Sequence, residues 1–377
     1  MLDPSLLHLN HGSFGAVPRV TREYQQALHN EMEASPVRWF LTVYGRLAAA
    51  RRQIAVFLGT DPKYLALIPN ASAGATVVMN AVHMRPGDNV IVTDHGYGAV
   101  VMGVKRHAAA HGATVTTVHI PLDADGGGAV ARIRDAITDR TVAVVVDQIS
   151  SATATLFPVA DIVRAAHAEG VPVLVDGAHA PGLIAGDPAS IGADWWIGNL
   201  HKFACAPRGS SVLVVRPDVA GELHPLIDSW NPAGPFPERF DVQGTLDYTG
   251  FLAAPRSFEY IADEFGWDAA RDYMERLVEY GQWVIADAFG RATGEDHMVR
   301  LKSPPPAMRL IRLPGCLGRD RDSADALRLP ILERCGAECA FTSFDGIGYI
   351  RISAHVYNTA SDFERFAQIC VPVLLTM

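Results

Sequence analysis

Between about residue 60 and residue 216, short runs rich in β-branched residues alternate with longer stretches whose apolar positions recur at helical spacing. The runs predict strands over Asn89–Thr93, Thr114–Ile120, Val142–Asp147, Val171–Asp176, Trp195–Ile197 and Ser211–Val215. The stretches between them predict helices over about Ser72–His83, Ala99–His111, Gly128–Ile137 and Val159–Glu169. Such alternation is the pattern of parallel strands joined by crossover helices. Three predicted strands run into polar groups, at Asp94-His95, Asp147-Gln148 and Asp176-Gly-Ala-His179. In an open parallel sheet, that C-terminal edge is where ligands bind.

From Pro225 to Pro255 the chain turns rich in Pro, Gly and aromatic residues, which is loop chemistry at a domain boundary or an active-site loop. Ala253 to Phe289 then has the apolar periodicity of long helices, and after a Ser303-Pro-Pro-Pro306 break an α+β unit is predicted to end in a helix, Ala360 to Leu375. The expected organisation is an N-terminal segment (1–15), a large α/β domain with a mostly parallel sheet (16–250) and a smaller α+β domain (251–377). At 377 residues the chain exceeds one ordinary hydrophobic core, which agrees with two domains.

Charge and motifs remove several functions. A formal net charge of −9 argues against a nucleic-acid or anionic-membrane surface. No apolar run reaches the roughly 18 residues of a membrane span. None of the lysines follows a glycine, so there is no phosphate-binding P-loop, and the dinucleotide and nucleophile-elbow glycine motifs are also missing. The five cysteines are scattered without a Cys-x-x-Cys pair, which predicts neither a disulfide framework nor a metal site and fits a reducing cytoplasm.

Only four of the 32 basic residues are lysine: Lys63, Lys105, Lys202 and Lys302. Three lie in a turn, beside another cation, or before a proline run. Lys202 instead lies in Gly-Asn-Leu-His-Lys-Phe (198–203), among apolar neighbours after an aromatic strand, where desolvation makes an amine a Schiff-base nucleophile. Its surroundings match pyridoxal 5′-phosphate (PLP) chemistry. PLP withdraws electrons when a carboxylate faces its ring nitrogen, which Asp176 can supply. Its phosphate needs backbone N–H groups, which Asn70-Ala-Ser-Ala-Gly74 can present at a helix start.

The motifs Asp-Gly-Ala-His (176–179), Gly-Asn-Leu-His-Lys (198–202), Gln-Gly-Thr-Leu-Asp (243–247) and Arg-Ile-Ser-Ala-His-Val-Tyr-Asn-Thr (351–359) resemble those of class V, fold-type I PLP enzymes. Leu-Asn-His-Gly-Ser-Phe-Gly (9–15), Pro-Val-Arg-Trp-Phe (36–40) and Asp-His-Gly-Tyr-Gly-Ala (94–99) resemble the isopenicillin N epimerase-like branch, which includes cysteine-conjugate C–S lyases. The resemblance implies that Lys202 carries PLP and later moves the Cα proton. It places Asp176 against the pyridine nitrogen, and His179 and Gln148 near the phenolic oxygen. Ser72, Ala73, Asn199 and His201 would hold the phosphate, and Thr245 would reach the phosphate of a neighbouring subunit, so a homodimer with shared sites is implied. Either His95 or Tyr97 would stack on the ring. Arg351 would clamp the substrate carboxylate, a task suited to a planar guanidinium, with Asn10, His11 and Arg38 near the substrate.

The reaction expected first is β-elimination from a cysteine S-conjugate, with Lys202 as base and Tyr97 as acid, because it needs only one strong base. Epimerisation is the alternative and requires a second acid–base group, His95 or Tyr97, opposite Lys202. Aminotransfer, decarboxylation-coupled oxidative deamination, cysteine desulfuration and a non-catalytic scaffold are further alternatives. Desulfuration is disfavoured, because Cys335 and Cys339 fall at a helix end and the following strand instead of in the loop near Ser343-Phe-Asp345.

Overall fold

The computed structural model describes residues 2–377. After a short strand β1 (Leu7–His8), helices α1 (Arg19–Ala34) and α2 (Pro36–Leu58) precede the alternating region. That region runs β2 (Leu65–Ile68), α3 (Ala71–Ala81), β3 (Asn89–Thr93), α4 (Gly98–Ala110), β4 (Thr114–Val118), α5 (Gly126–Ala136), β5 (Thr141–Asp147), α6 (Val159–Ala168), β6 (Val173–Asp176), β7 (Trp195–Asn199) and β8 (Ser211–Val215). There follow α7 (Thr249–Glu264), α8 (Trp267–Thr293), β9 (Met308–Arg312), α9 (Arg321–Asp325), α10 (Arg328–Cys335), β10 (Ala337–Glu338), β11 (Ala340–Phe344), β12 (Ile347–Ser353) and α11 (Ala360–Leu374).

The described residues form two compact units, one of residues 17–149 and 157–260, the other of residues 2–16, 150–156 and 261–377. The larger unit is a seven-stranded sheet in the order β2-β8-β7-β6-β5-β3-β4, an α/β architecture with a mostly parallel sheet. Every residue of β2, β6, β7 and β8 is buried, as expected where helices cover both faces. One strand departs from the parallel pattern, since β8 pairs antiparallel with both β7 and β2. The cause is the connection: residues 200–210 join β7 to β8 without a helix, and a strand that returns without a crossover must reverse. That loop carries Lys202. The sequence reading also lacks β2, whose Leu-Ala-Leu-Ile is too short and too uniformly apolar to distinguish a strand from a helix turn.

In-register pairing places Asp147 of β5 beside Asp176 of β6, and Asp176 beside Ile197 of β7. Behind this edge lies Trp196, whose ring fills the space over two glycines. A Cβ built on Gly177 or on Gly198 would come within 2.3 Å of the indole, so the Asp-Gly-Ala-His motif needs its glycine for the indole to pack.

The smaller unit packs α8 and α11 on an antiparallel sheet of order β11-β12-β9, and β1 pairs parallel with β10. Its core includes Leu7, Leu9, Phe289, Ile311, Ile350, Ile352, Phe363 and Phe366. Close approach of the two helices depends on Gly281, where a Cβ would lie 2.3 Å from the Phe363 ring. No helix among the described residues is long and apolar enough to cross a membrane.

Candidate active site

The larger unit gathers the residues expected to hold PLP. The loop after β7 is closed by backbone bonds from Leu200 N–H to the Ser210 carbonyl (3.1 Å), Cys205 N–H to Lys202 (3.0 Å) and Ala206 N–H to Leu200 (3.0 Å). Lys202, half-buried in this loop, has its Nζ 3.1 Å from Nε2 of His179. His179 lies three residues past Asp176, so the lysine loop and the aspartate strand meet through one imidazole.

Asp176 is 2 % exposed. Its Oδ1 accepts the Ala178 N–H at 3.0 Å, and its Oδ2 is buried without a hydrogen-bond partner. A buried carboxylate oxygen left unbonded is costly unless a donor completes it. A protonated pyridine nitrogen is such a donor, so the residues present fit PLP. Burial raises the Asp176 pKa, while the Ala178 N–H and the Lys202 charge oppose the shift.

The start of α3 is where the cofactor phosphate is expected. Asn70 caps the helix, its Oδ1 accepting the Ala73 N–H at 2.9 Å. Asn199 Oδ1 accepts the Ala71 N–H at 2.9 Å and the Ser211 hydroxyl at 2.7 Å. Asn199 therefore fixes the helix start, with Ser72 and Ala73 on its first turn, and only its amide NH2 remains to donate to an anion. His201 Nδ1 donates to the Ser210 carbonyl at 3.1 Å. Burial, followed by the Lys202 charge, lowers its pKa to about 4. In that neutral form Nε2 is an acceptor, so His201 serves a phosphate only once the dianion itself has favoured imidazolium. Gln148 Oε1 accepts the Trp196 indole N–H at 2.9 Å, which orients its NH2 end as the donor.

Of the two ring-stacking candidates, His95 is the buried one and Tyr97 the exposed one. Its Nε2 donates to the Ile120 carbonyl at 2.6 Å, its ring meets Phe157 edge-on at 5.1 Å, and it is 1 % exposed. Asp94 accepts the Ile120 N–H at 3.1 Å and bonds His119 at 2.6 Å, so Asp94-His95 clamps β3 to the chain beyond β4. Tyr97, two residues on, is the N-cap of α4 and is 45 % exposed. Thr245 and Arg38 are also exposed.

In the smaller unit, Arg351 is buried on β12. Its Nη1 donates to the Ser151 carbonyl and, at 3.1 Å, to the Ser151 hydroxyl; its Nη2 donates to Asn10 Oδ1 at 2.8 Å and Ser13 Oγ at 3.3 Å. Asn10 thus positions the guanidinium. His11, expected near the substrate, has both of its ring nitrogens engaged within the protein. Nε2 donates to Asn358 Oδ1 at 2.7 Å, and the Tyr357 hydroxyl donates to Nδ1. Burial, followed by the neighbouring His355, lowers its pKa to about 3, so it is neutral and ties the N-terminal segment to residues 357–358.

Three residues escape the sequence reading. Asp147 stands at a noted strand end without an assigned role, Ser13 lies inside a quoted motif, and Ser151 carries no sequence signal at all. Cys339 is buried, and desolvation pushes its thiol pKa well above the usual range, which disfavours the thiolate a desulfurase needs.

The family model for class-V aminotransferases matches residues 16–366, and the chain belongs to that family. Membership indicates pyridoxal 5′-phosphate as the cofactor, and the protein is a PLP-dependent enzyme. Isopenicillin N epimerase of Streptomyces clavuligerus is 30 % identical over 97 % of this chain and 94 % of its own length. A putative L-cysteine desulfhydrase of Oryza sativa subsp. japonica is 29 % identical over 96 % of this chain and 82 % of that protein. Among solved structures, the complex of the cystine C–S lyase C-DES with its product cysteine persulfide superposes with a TM-score of 0.83 at 19 % identity, covering 98 % of both chains.

Proposed function

We propose that the enzyme is a C–S β-lyase acting on a cysteine S-conjugate. Lys202 holds the cofactor, Asp176 pairs with its ring nitrogen, and His179 and Gln148 lie at its phenolic oxygen. The first turn of α3, with Ser72, Ala73, Asn199 and His201, holds its phosphate. When bound, PLP supplies an electron sink that labilises bonds at the substrate Cα. Arg351 binds the substrate carboxylate, Lys202 takes the Cα proton, and the Cβ–S bond breaks. Tyr97 gives its hydroxyl proton to the departing sulfur. The aminoacrylate released is hydrolysed to pyruvate and ammonia.

The observation that carries this reading is the burial of His95. With His95 bonded to Ile120, Tyr97 is the remaining candidate opposite Lys202, and a phenol at neutral pH is a better proton donor than acceptor. That suits protonation of a thiolate more than removal of a Cα proton. Similarity to L-cysteine desulfhydrases supports the same choice. Epimerisation is the second reading, supported by the likeness to isopenicillin N epimerase. Holoenzyme given an S-substituted cysteine is expected to release pyruvate and thiol in equal amounts. Deuterium entering Cα from solvent without pyruvate would establish epimerisation instead.

The functional assembly is a homodimer in which the partner's Thr245 reaches the cofactor phosphate. Its support is a set of exposed apolar side chains, Val37 and Leu41 one turn apart on α2 and, separately, Trp230, 91 % exposed. Light scattering is expected to give twice 40.6 kDa. Leu41→Glu should shift the mass toward one chain and weaken PLP retention; a monomeric, fully active wild type would refute this assembly.

A further inference from the structure

We propose that Tyr248 is a positioning residue for Thr245: its buried hydroxyl closes the turn that presents Thr245 to the cofactor phosphate of the partner subunit. The inference rests on the reading of Thr245 as a phosphate contact across a homodimer.

Thr245 is exposed within residues 243–248, which belong to no helix or strand. Among the described residues, 243–247 make no backbone–backbone hydrogen bond, so side chains must give this turn its shape. The Tyr248 hydroxyl does so. It accepts the Gln243 N–H at 2.8 Å and donates to the Gly244 carbonyl at 2.6 Å. One oxygen thereby ties two successive residues on the N-terminal side of Thr245 to the residue that immediately precedes α7. Gly244 has a φ of +83°, which glycine adopts without strain, although a Cβ there would meet nothing within 4 Å.

The hydroxyl itself is fixed. Tyr248 is 2 % exposed, and Phe40 of α2 meets its ring edge-on at 6.4 Å. Burial raises its pKa above the ordinary phenol value, so it keeps the proton that it shares with Gly244. Beyond Thr245, Asp247 Oδ1 accepts the Thr249 N–H at 2.8 Å and the Thr249 hydroxyl at 2.6 Å, and its Oδ2 accepts from His29 Nε2 on α1 at 2.8 Å. Thr245 and Leu246 are left between these two anchors, both exposed. A phosphate that meets a turn already ordered does not bear the entropy of ordering it, and that saving is what the closed turn contributes to cofactor affinity.

Tyr248→Phe keeps the ring and removes the one oxygen. In apo protein, amide exchange at Gln243 should accelerate about tenfold in this variant, the equivalent of one hydrogen bond; unchanged exchange overturns the closure of the turn. Titration with PLP should show affinity weakened about tenfold in Tyr248→Phe, and no further loss when the same change is added to Thr245→Ala. An additional loss in that background overturns action through Thr245. Mixed dimers separate positioning from general damage to the fold, one chain carrying Lys202→Ala so that borohydride fixes PLP only to the other. Tyr248→Phe on the Lys202→Ala chain should lower the PLP fixed at limiting cofactor, because that chain lends its Thr245 to the competent site. On the chain that keeps Lys202 it should have no such effect, and equal losses in the two arrangements overturn the role. Should Thr245→Ala bind PLP as tightly as wild type, the reading of Thr245 fails and the positioning role with it, while the exchange result still decides whether the hydroxyl closes the turn.

Discussion

Lys202→Ala is expected to lower kcat by about ten-thousand-fold or more, the upper end of what loss of a positioned base costs, and to end covalent attachment of PLP. Borohydride reduction of the wild type should fix the cofactor to a single peptide, the one containing Lys202. The variant should then release all of its PLP on denaturation. The substitution isolates chemistry from folding because the loop does not depend on this side chain. Its three closing bonds, Leu200 to Ser210, Cys205 to Lys202 and Ala206 to Leu200, are all between backbone groups. Alanine leaves them intact and removes only the amine, which lies 3.1 Å from His179 Nε2. Reduction that labels Lys63, Lys105 or Lys302, or a variant that turns over at the wild-type rate, would sink the assignment.

The lysine was legible in the sequence because the chain has so few, and because the motif around it is local. The fold was legible for a similar reason. Strands β3 and β8 have the bounds their β-branched runs predict, since a buried strand between helices is specified by its own residues. The reversal of β8 was not legible, because direction is set by what joins two strands and a loop of residues 200–210 carries no apolar period. The difference in burial between His95 and Tyr97 was beyond sequence for a different reason. The two lie two residues apart in one motif, and which of them is buried depends on the Ile120 carbonyl, 25 residues away. Asp147 had the same character: its strand end was visible, but its partner Asp176 is supplied by sheet register. Ser151 had no signal, since its main contribution is a backbone carbonyl to Arg351, which any residue type can offer.

Asp176→Asn is the second change expected to have a large effect, and its two consequences run in opposite directions. Loss of the carboxylate removes the group proposed to keep the ring nitrogen of PLP protonated, and kcat should fall on the order of 10²–10³-fold, comparable to the removal of one electrostatic stabiliser of a transition state. The same substitution relieves the apo protein of a buried acid whose Oδ2 has no hydrogen-bond partner and whose pKa burial raises. By the sign of that shift, the stability associated with the protonated acid is present below about pH 3.9 and is lost as pH rises through the folded pKa. Asparagine cannot ionise, so apo Asp176→Asn should melt above wild type at neutral pH, by about 2–4 °C for each kcal/mol of the cost removed, and should converge with it near pH 4. Saturating PLP should narrow the difference, because the cofactor returns to the wild-type carboxylate the partner it lacks. A melting point that drops at neutral pH would mean that the carboxylate is already satisfied without the cofactor.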